Sequence, residues 1–332
     1  MTAMTCEEVS RVSALAQPLV FTPKALGPNL AAWIRDNSDA LNRQLYEHGA
    51  ILFRKFKVNG ARDFEDVVAA LGEPIIEYNN RSTPRTQVRG KIYTSTEYPA
   101  SETIPLHNEN SYSHAWAMKL FFFCVKAPEV GGETPIADSR RVYERIAPAV
   151  REEFIRKKVR YVRNYGYLDL PWQEAFQTDN KADVEHSCKS NGIEFEWFDD
   201  GRLRTWQTLP AVARHPVTGK DVWFNQAHLF HVSNLGRDLQ SALLSSVGEE
   251  NLPRNAYYGD GTRIDSAALD EVRRAYDAEQ IVFPWMAGDV LLLDNMLFAH
   301  GRKPFSGARQ VLVGMASENR DHGLQPPHDL PT

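Results

Sequence analysis

The chain has 332 residues, of which 42% are hydrophobic and 24% are charged. These fractions are close to the average for globular proteins, so they exclude a collagen-like, coiled-coil or disordered chain. The 38 basic and 43 acidic side chains give a net charge of −5, without the excess of Lys and Arg that nucleic-acid binding requires. We therefore expect a folded protein that binds neither nucleic acid nor, because its apolar runs are short, a membrane.

The cysteines and the N-terminal segment bear on where the protein works. Three cysteines without a C-x-x-C spacing argue against a disulfide framework and against a thiolate zinc site. The segment MTAMTCEEVSR lacks the basic and apolar regions of a secretory signal. Both observations indicate a cytoplasmic protein. Neither a repeat nor a Gly/Ser linker divides the chain, so we expect a flexible lead-in over 1–20 and a single domain over 21–332.

The predicted elements begin with helices and then change to strands. Apolar residues at helical spacing predict helices over 28–48 and 63–71, with a short strand over 50–56 between them. From about residue 90 strand patterns dominate, and helices are predicted only over 139–157, 237–247 and 266–277. The predicted strands cover 91–96, 119–126, 160–167, 194–198, 203–207, 221–226, 289–295 and 310–316. This order indicates an α+β, mainly β chain whose helices flank a β core.

One histidine has an acidic residue two positions after it, in His107-Asn108-Glu109. With ten histidines and 43 acidic residues in the chain, this pattern is expected about once by chance, so alone it carries little weight. On an extended segment, however, residues i and i+2 point to the same face. His107 and Glu109 could therefore bind one ion together.

A second histidine stands near the other end of the chain, in a strand-like run. The run DVLLLDNMLFAH ends at His300, and a turn, GRKPFSG, leads to a second strand that begins at Arg309. His300 and Arg309 would then flank one hairpin. If this hairpin pairs near His107, two imidazoles and a carboxylate form the facial triad of non-haem iron(II) oxygenases. Arg309 could hold a carboxylate of 2-oxoglutarate with its planar fork, and Arg302, inside the predicted turn, is the less favoured alternative.

Long segments resemble the taurine dioxygenase-type iron(II)/2-oxoglutarate oxygenases and, within them, the SyrP-like branch. They are STEYPASETIPLHNENSY, FFFCVKAPEVGGETPIAD, WFNQAHLFH, YGDG and GDVLLLDNMLFAHGRKPFSGARQVLVGMA, between about residues 50 and 318. The resemblance implies a double-stranded β-helix (jelly-roll) core, with O2 and 2-oxoglutarate as co-substrates. It implies that His107, Glu109 and His300 bind Fe(II) and that Arg309 and Thr134 bind 2-oxoglutarate. Because Glu109 fills the position that a halide takes in the family's halogenases, halogenation is disfavoured.

The resemblance implies hydroxylation of an unactivated C–H bond, with release of succinate and carbon dioxide. Desaturation, epoxidation and cyclisation stay open as outcomes of the same chemistry. Two hypotheses of other classes start from the residues alone. A zinc-dependent hydrolase also uses histidines and a carboxylate around an open position, although H-E-x-x-H is absent here. A jelly-roll binding protein without catalysis is the third hypothesis, which the intact triad and Arg309 disfavour.

The residues that contact the substrate are predicted from their placement in the sequence. Glu97, about ten residues before His107, could pair with a substrate ammonium. Arg81 and Arg85 could face a carboxylate or the phosphopantetheine of a carrier protein, and solvated loop arginines are the alternative interpretation. Asn225 and His228, in NQAHLFH, could line the pocket. The SyrP-like resemblance implies an amino-acid or amino-acid-derived substrate, free or carrier-tethered, in specialised-metabolite biosynthesis, and leaves the oligomeric state open.

Overall fold

The computed structural model describes residues 6–8, 18–24, 27–77, 85–166 and 168–323. In chain order its helices are α1 (Leu30–His48), α2 (Ala61–Ala69), α3 (Ser139–Arg145), α4 (Pro148–Lys157), α5 (Trp172–Phe176), α6 (Lys181–Ser190), α7 (Ala227–Phe230), α8 (Arg237–Val247) and α9 (Ser266–Glu279). Short 3-10 turns at Val232–Asn234 and Glu249–Asn251 lie on either side of α8.

The strands have between 2 and 11 residues and are distributed along the whole described chain. In order they are β1 (Cys6–Glu8), β2 (Leu19–Pro23), β3 (Ala50–Phe53), β4 (Gln87–Arg89), β5 (Ile92–Thr94), β6 (Ile104–His107), β7 (Trp116–Lys126), β8 (Val130–Gly131), β9 (Ile136–Asp138), β10 (Val159–Tyr165), β11 (Glu194–Trp197), β12 (Leu203–Leu209), β13 (Val212–Arg214), β14 (Asp221–Trp223), β15 (Arg254–Tyr258), β16 (Gln280–Ile281), β17 (Val290–Asp294), β18 (Phe298–Arg302), β19 (Phe305–Ser306) and β20 (Gln310–Asn319).

Three sheets organise these strands. The large sheet has the order β1-β2-β3-β17-β7-β20-β5-β4, and the small sheet has the order β16-β9-β18-β6. A third sheet, β11-β12-β10-β15, is made from the middle of the chain. Two strand pairs, β13-β14 and β19-β8, lie outside these sheets. The fold is therefore mixed α and β with substantial sheet content.

The central strands of the large sheet are buried on both faces, which explains their continuous apolar runs. On β7, Phe121 and Phe123 pack with α1 and α2, whereas Leu120 and Phe122 belong to a second core cluster. That second cluster includes Phe298 from β18 of the small sheet. The large sheet thus packs against helices on one face and against the small sheet on the other, and the space between the two sheets is where β6 and β18 present their side chains.

Local signals explain where several helices begin and end. The side chain of Asn29 accepts a hydrogen bond from the backbone N–H of Ala32 and caps α1, which ends at Gly49 with φ of 73°. Helix α8 has the predicted bounds of 237–247. The helix predicted over 139–157 is instead two helices, because Ile146 is extended and Pro148 starts α4 as its first residue.

Two strand predictions differ from the structure. Residues 6–8 and 19–20, placed in the flexible lead-in by the sequence, lie in strands at one edge of the large sheet, where β2 runs parallel to β3. The run DVLLLDNMLFAH is two strands, since β17 belongs to the large sheet and β18 to the small sheet. Both strands are apolar, and the polar pair Asp294-Asn295 at the end of β17 marks the turn between them. No helix in the described ranges is long and apolar enough to cross a membrane.

Candidate metal and co-substrate site

The ladder between β6 and β18 brings two histidines from distant parts of the chain face to face. These strands are antiparallel, and His107 is the direct partner of His300. Their ring centroids are 4.6 Å apart. His300 is buried, and the ring of Phe122 from the large sheet lies against it at 5.0 Å. The fold therefore fixes both imidazoles between the two sheets.

Glu109 reaches the same place from a turn. The sequence suggested an extended segment through Glu109, whereas β6 ends at His107. The side chain of Asn295 holds the turn: its Oδ1 accepts from the Glu109 N–H at 2.7 Å, and its Nδ2 donates to the Glu109 carbonyl at 2.9 Å and to the Ala117 carbonyl at 2.8 Å. Asn108 donates in return to the Asn295 carbonyl at 2.7 Å. These buried bonds fix the backbone that carries the carboxylate.

The three side chains form a donor set suited to a metal ion. One ligand atom from each of His107, Glu109 and His300 lies within 4.8 Å of the others, and His300 Nε2 is 3.6 Å from a Glu109 oxygen. The Nδ1 of His107 lies 2.8 Å from the Pro105 carbonyl. We assign the proton to Nδ1, so that Nε2 keeps its lone pair for a metal. Two imidazoles and a carboxylate match the facial triad of iron(II) oxygenases.

Burial also sets the charge state of this cluster. It lowers the pKa of His107, an effect that Glu109 partly opposes. It holds the pKa of His300 well below the usual range, aided by His107 and Arg85. Neutral imidazole is the form that binds metals. Arg85 donates from Nη2 to Glu109 at 2.9 Å, and the two side chains are 4% and 7% exposed. A carboxylate has a second oxygen, so this ion pair is compatible with metal binding.

A cavity of about 30 Å³ adjoins the cluster, and Arg85, Arg302 and Arg309 are all among its lining residues. His107, His300, Arg309 and Thr134 line it. Arg309 donates from Nε to the Gly132 carbonyl at 2.8 Å, while its Nη1 and Nη2 lie 3.2 and 3.5 Å from the hydroxyls of Ser95 and Thr134. Burial, together with the nearby Arg302, lowers its pKa to about 10. No described carboxylate pairs with Arg309, so the cavity favours an anion.

Arg302 and Arg309 are placed differently from the sequence prediction. Arg302 is the last residue of β18 rather than part of a turn. Its guanidinium donates to the carbonyls of Tyr98, Pro99 and Glu102 at 2.6–2.9 Å. His300 and Arg309 do not flank a simple hairpin either, because β18 and β20 lie in different sheets. They reach one cavity because those sheets face each other.

The remaining predicted substrate residues are scattered. Arg85 lies in the site. Glu97 is exposed and accepts hydrogen bonds from the hydroxyls of Thr86 and Thr94, which lower its pKa. Because it lines no described cavity, its contact with a substrate amine stays a prediction. Arg81 lies outside the described residues.

Asn225 and His228 support the protein interior. Asn225 is fully buried, donates to the Ala211 carbonyl and accepts from the Ala227 N–H. His228 Nε2 lies 2.9 Å from the carbonyl of Leu106, the residue before His107. Burial lowers the pKa of His228 to about 3, so it is neutral and donates this bond. Neither side chain lines a described cavity.

Sequence reasoning missed Asn295 and Ser95. Asn295 lies among apolar residues in the sequence, and a polar side chain in such a segment was a usable signal. A buried amide must be hydrogen-bonded, and Asn295 is fully buried in the structure. Its partners, however, lie 178 and 186 residues away, so the sequence could not identify them. Ser95 carries no comparable signal.

Comparisons with known proteins agree with this geometry. The family model described as taurine catabolism dioxygenase TauD, TfdA family matches residues 14–316. The dapdiamide synthesis protein DdaC of Enterobacter agglomerans is 45% identical over 285 residues, which cover 86% of this chain and 87% of that protein. A clavaminate synthase-like protein of Arabidopsis thaliana is 34% identical over 301 residues, covering 87% of each.

Solved structures show the same fold at low sequence identity. PvcB of Pseudomonas aeruginosa has a TM-score of 0.54 at 16% identity, covering 91% of this chain and 87% of that one. An asparagine oxygenase solved with Fe(II), 3-hydroxyasparagine and succinate has a TM-score of 0.53 at 14% identity, covering 86% and 79%. At these identities the likeness supports the fold alone.

Proposed function

Because the chain belongs to the TauD/TfdA family of dioxygenases, we propose that this enzyme uses iron(II) and 2-oxoglutarate to hydroxylate an amino-acid or amino-acid-derived substrate. The matches to this family confirm the family membership and the enzyme class predicted from the sequence. They do not support the alternative hypotheses of a zinc hydrolase or of a binding protein without catalysis. The metal, the co-substrate and the substrate are parts of the proposal.

The observation that carries the proposal is the pairing of two features in one buried place. Three metal-ligating side chains converge, and a buried guanidinium without a described carboxylate partner lines the adjoining cavity. A hydrolase needs the first feature but has no use for the second. A co-substrate that is both a chelator and a carboxylate needs both.

Each residue then has a definite task. His107, Glu109 and His300 would hold the iron, which, with 2-oxoglutarate and dioxygen, supplies the oxidising power to release succinate and carbon dioxide and to hydroxylate a C–H bond. Arg309 would bind the distal carboxylate of 2-oxoglutarate in a charge-assisted contact, with the Thr134 hydroxyl beside it. Asn295 fixes the backbone of Glu109.

The substrate class rests on the relatives. One of them, 45% identical, is a dapdiamide synthesis protein, which supports amino-acid-derived chemistry in a biosynthetic pathway. Desaturation, epoxidation and cyclisation differ from hydroxylation only in the fate of the substrate after C–H attack, and no residue of the site selects among them. The substrate is a small molecule, free or presented on a carrier protein.

Two further points belong to the proposal. The large and small sheets that face each other are interpreted as the two halves of a jelly-roll. A cytoplasmic location accords with Cys124 and Cys188, which are buried free thiols.

A product screen tests this function. The purified enzyme, supplied with iron(II), 2-oxoglutarate and oxygen, is incubated with free amino acids, the same amino acids loaded on a carrier protein, and sulfonates. We expect a product 16 mass units heavier from an amino-acid-type substrate, with succinate in equal amount. Products from sulfonates alone would contradict the substrate class, and loss of two mass units would indicate desaturation or cyclisation instead of hydroxylation.

A further inference from the structure

A second and much larger cavity lies on the third sheet. It measures about 350 Å³, within the range of pockets that bind small organic molecules, whereas the cavity at Arg309 measures about 30 Å³. One face of the third sheet forms its floor, and α5, α6 and Phe230 of α7 contribute to its walls. The small cavity has room for only about one or two waters, so a substrate of organic size needs space of this second kind.

Polar side chains converge from neighbouring strands on the floor of this cavity. In the strand ladder, Arg163 of β10 is paired with Thr205 of β12 and with Arg254 of β15. Two positions along, Tyr161 is paired with Gln207. Because alternate residues of a strand share a face, all five side chains lie on one side of the sheet, and all five line the cavity.

The charge in the cavity is positive. The charged residues that line it, among those described, are Arg163 and Arg254. Both contact one carboxylate: Asp169 accepts from Arg163 Nε at 2.7 Å and from Arg254 Nε at 3.3 Å. These two guanidinium groups and one carboxylate together carry a net charge of +1. The Nη2 of Arg163 is buried and has no hydrogen-bond partner in the described part of the chain. The Arg163 side chain as a whole is 16% exposed and lines the cavity, so a turn of its guanidinium brings a free donor to a ligand oxyanion.

Aromatic rings cover both ends of the floor. Tyr112, Tyr161 and Phe230 pack together at one end, with centroids 5.0 and 5.1 Å apart around Phe230. Tyr165 and Phe176 pack at the other end at 5.5 Å. A cavity with apolar ends and a cationic centre fits a molecule that has an apolar body and one anionic group.

One turn of the chain connects this cavity to the metal site. Tyr112 and Ser113 line the cavity, and they follow Glu109 by three and four residues in the same turn. Gln207 donates to the Tyr112 carbonyl and so joins the cavity floor to this turn. Resting on the function proposed above, we infer that the substrate is a free carboxylic acid whose carboxylate binds Arg163 in this cavity while its body extends toward Glu109.

This assignment separates free from tethered substrates. An amino acid loaded on a carrier protein has its carboxyl group in a thioester, which carries no charge and gives Arg163 no ion pair. A C-terminal amide removes the charge with almost no change in size. The structure thus favours a free acid of amino-acid or dipeptide size.

The test compares four proteins on defined probes. The twenty amino acids and their dipeptides with alanine are offered as free acids and as amides, beside matching sulfonates and carrier-bound thioesters. Binding is measured by calorimetry, which needs no turnover. Arg163→Gln removes the cation while Arg254 still holds Asp169, and Ser187→Phe fills the cavity from α6. Arg204→Gln is the control, because Arg204 neighbours Thr205 but points to the opposite face and lines no described cavity.

The expected result is a set of free acids that bind the wild type and Arg204→Gln, bind Arg163→Gln at least tenfold more weakly, and fail to bind Ser187→Phe. Equal binding of acids and amides, unchanged binding in Arg163→Gln, use of sulfonates or thioesters alone, or no binding by any acid would each overturn the inference. Succinate released from 2-oxoglutarate without substrate is measured in all four proteins, since its absence throughout would count against the proposed function instead.

Discussion

Replacing Asn295 by Ala tests whether the amide of Asn295 positions Glu109. The change removes three buried hydrogen bonds, two of them to the backbone of Glu109. An unsatisfied buried group costs about 1 to 3 kcal/mol. A water that enters the vacated space recovers part of this cost, so we expect the free energy of unfolding to fall by about 3 to 5 kcal/mol. Affinity for iron(II) should fall by about 10- to 100-fold, as for the loss of other groups that orient metal ligands.

Asn225→Ala is the matched control for this prediction. Asn225 is equally buried and makes two hydrogen bonds to the backbone, against three for Asn295, and its partners are Ala211 and Ala227. Urea unfolding of the metal-free proteins should show a loss of stability in both variants. Anaerobic titration with iron(II) against a fluorescent chelator should show weakened binding in Asn295→Ala alone. Equal iron affinity in the two variants would refute the positioning role, because stability alone would then explain the loss.

The other predictions concern single side chains at the site. Glu109→Ala should abolish hydroxylation, because it removes the anionic ligand, and normal turnover by that variant would exclude Glu109 from the triad. Arg309→Ala should weaken the apparent affinity for 2-oxoglutarate by more than tenfold, from the roughly 2 to 4 kcal/mol lost with one partner of a charged contact; if Arg302→Ala shows this effect instead, the arginine is misassigned. Thr134→Ala should produce a smaller loss in the same kinetic assay. Glu97→Gln should weaken binding of a substrate amine, as the sequence predicts, and unchanged substrate affinity would exclude Glu97 from that contact.

The sequence predicted the family because long motifs carry the resemblance, and it named the three side chains that the fold brings together. It could not predict how they meet. His107 and His300 are 193 positions apart, and their pairing depends on β17 and β18 lying in different sheets. The predicted strand-like run continues through the polar pair Asp294-Asn295, which marks the turn between β17 and β18.

Helix α6 shows a second reason for the misses. Most residues of α6 are polar, and only Val184 and Cys188 are buried. Its apolar stripe is therefore too narrow to predict from periodicity. These two residues pack against the third sheet and hold the helix in place. The larger cavity lies between that helix and the sheet, and for this reason Arg163 could not be identified as a binding residue from the sequence.

Metal-dependent turnover of 2-oxoglutarate by the purified enzyme, stripped of metal, tests the proposed iron site most directly. Succinate is measured after addition of iron(II) or zinc(II), in the wild type and in His300→Ala, with His114→Ala as a control outside the site. We predict that the wild type and His114→Ala release succinate with iron(II) but not with zinc(II). His300→Ala should release none with either metal. Succinate release that is independent of iron(II), or that persists undiminished in His300→Ala, would contradict the assignment of His107, Glu109 and His300 as an iron(II) site.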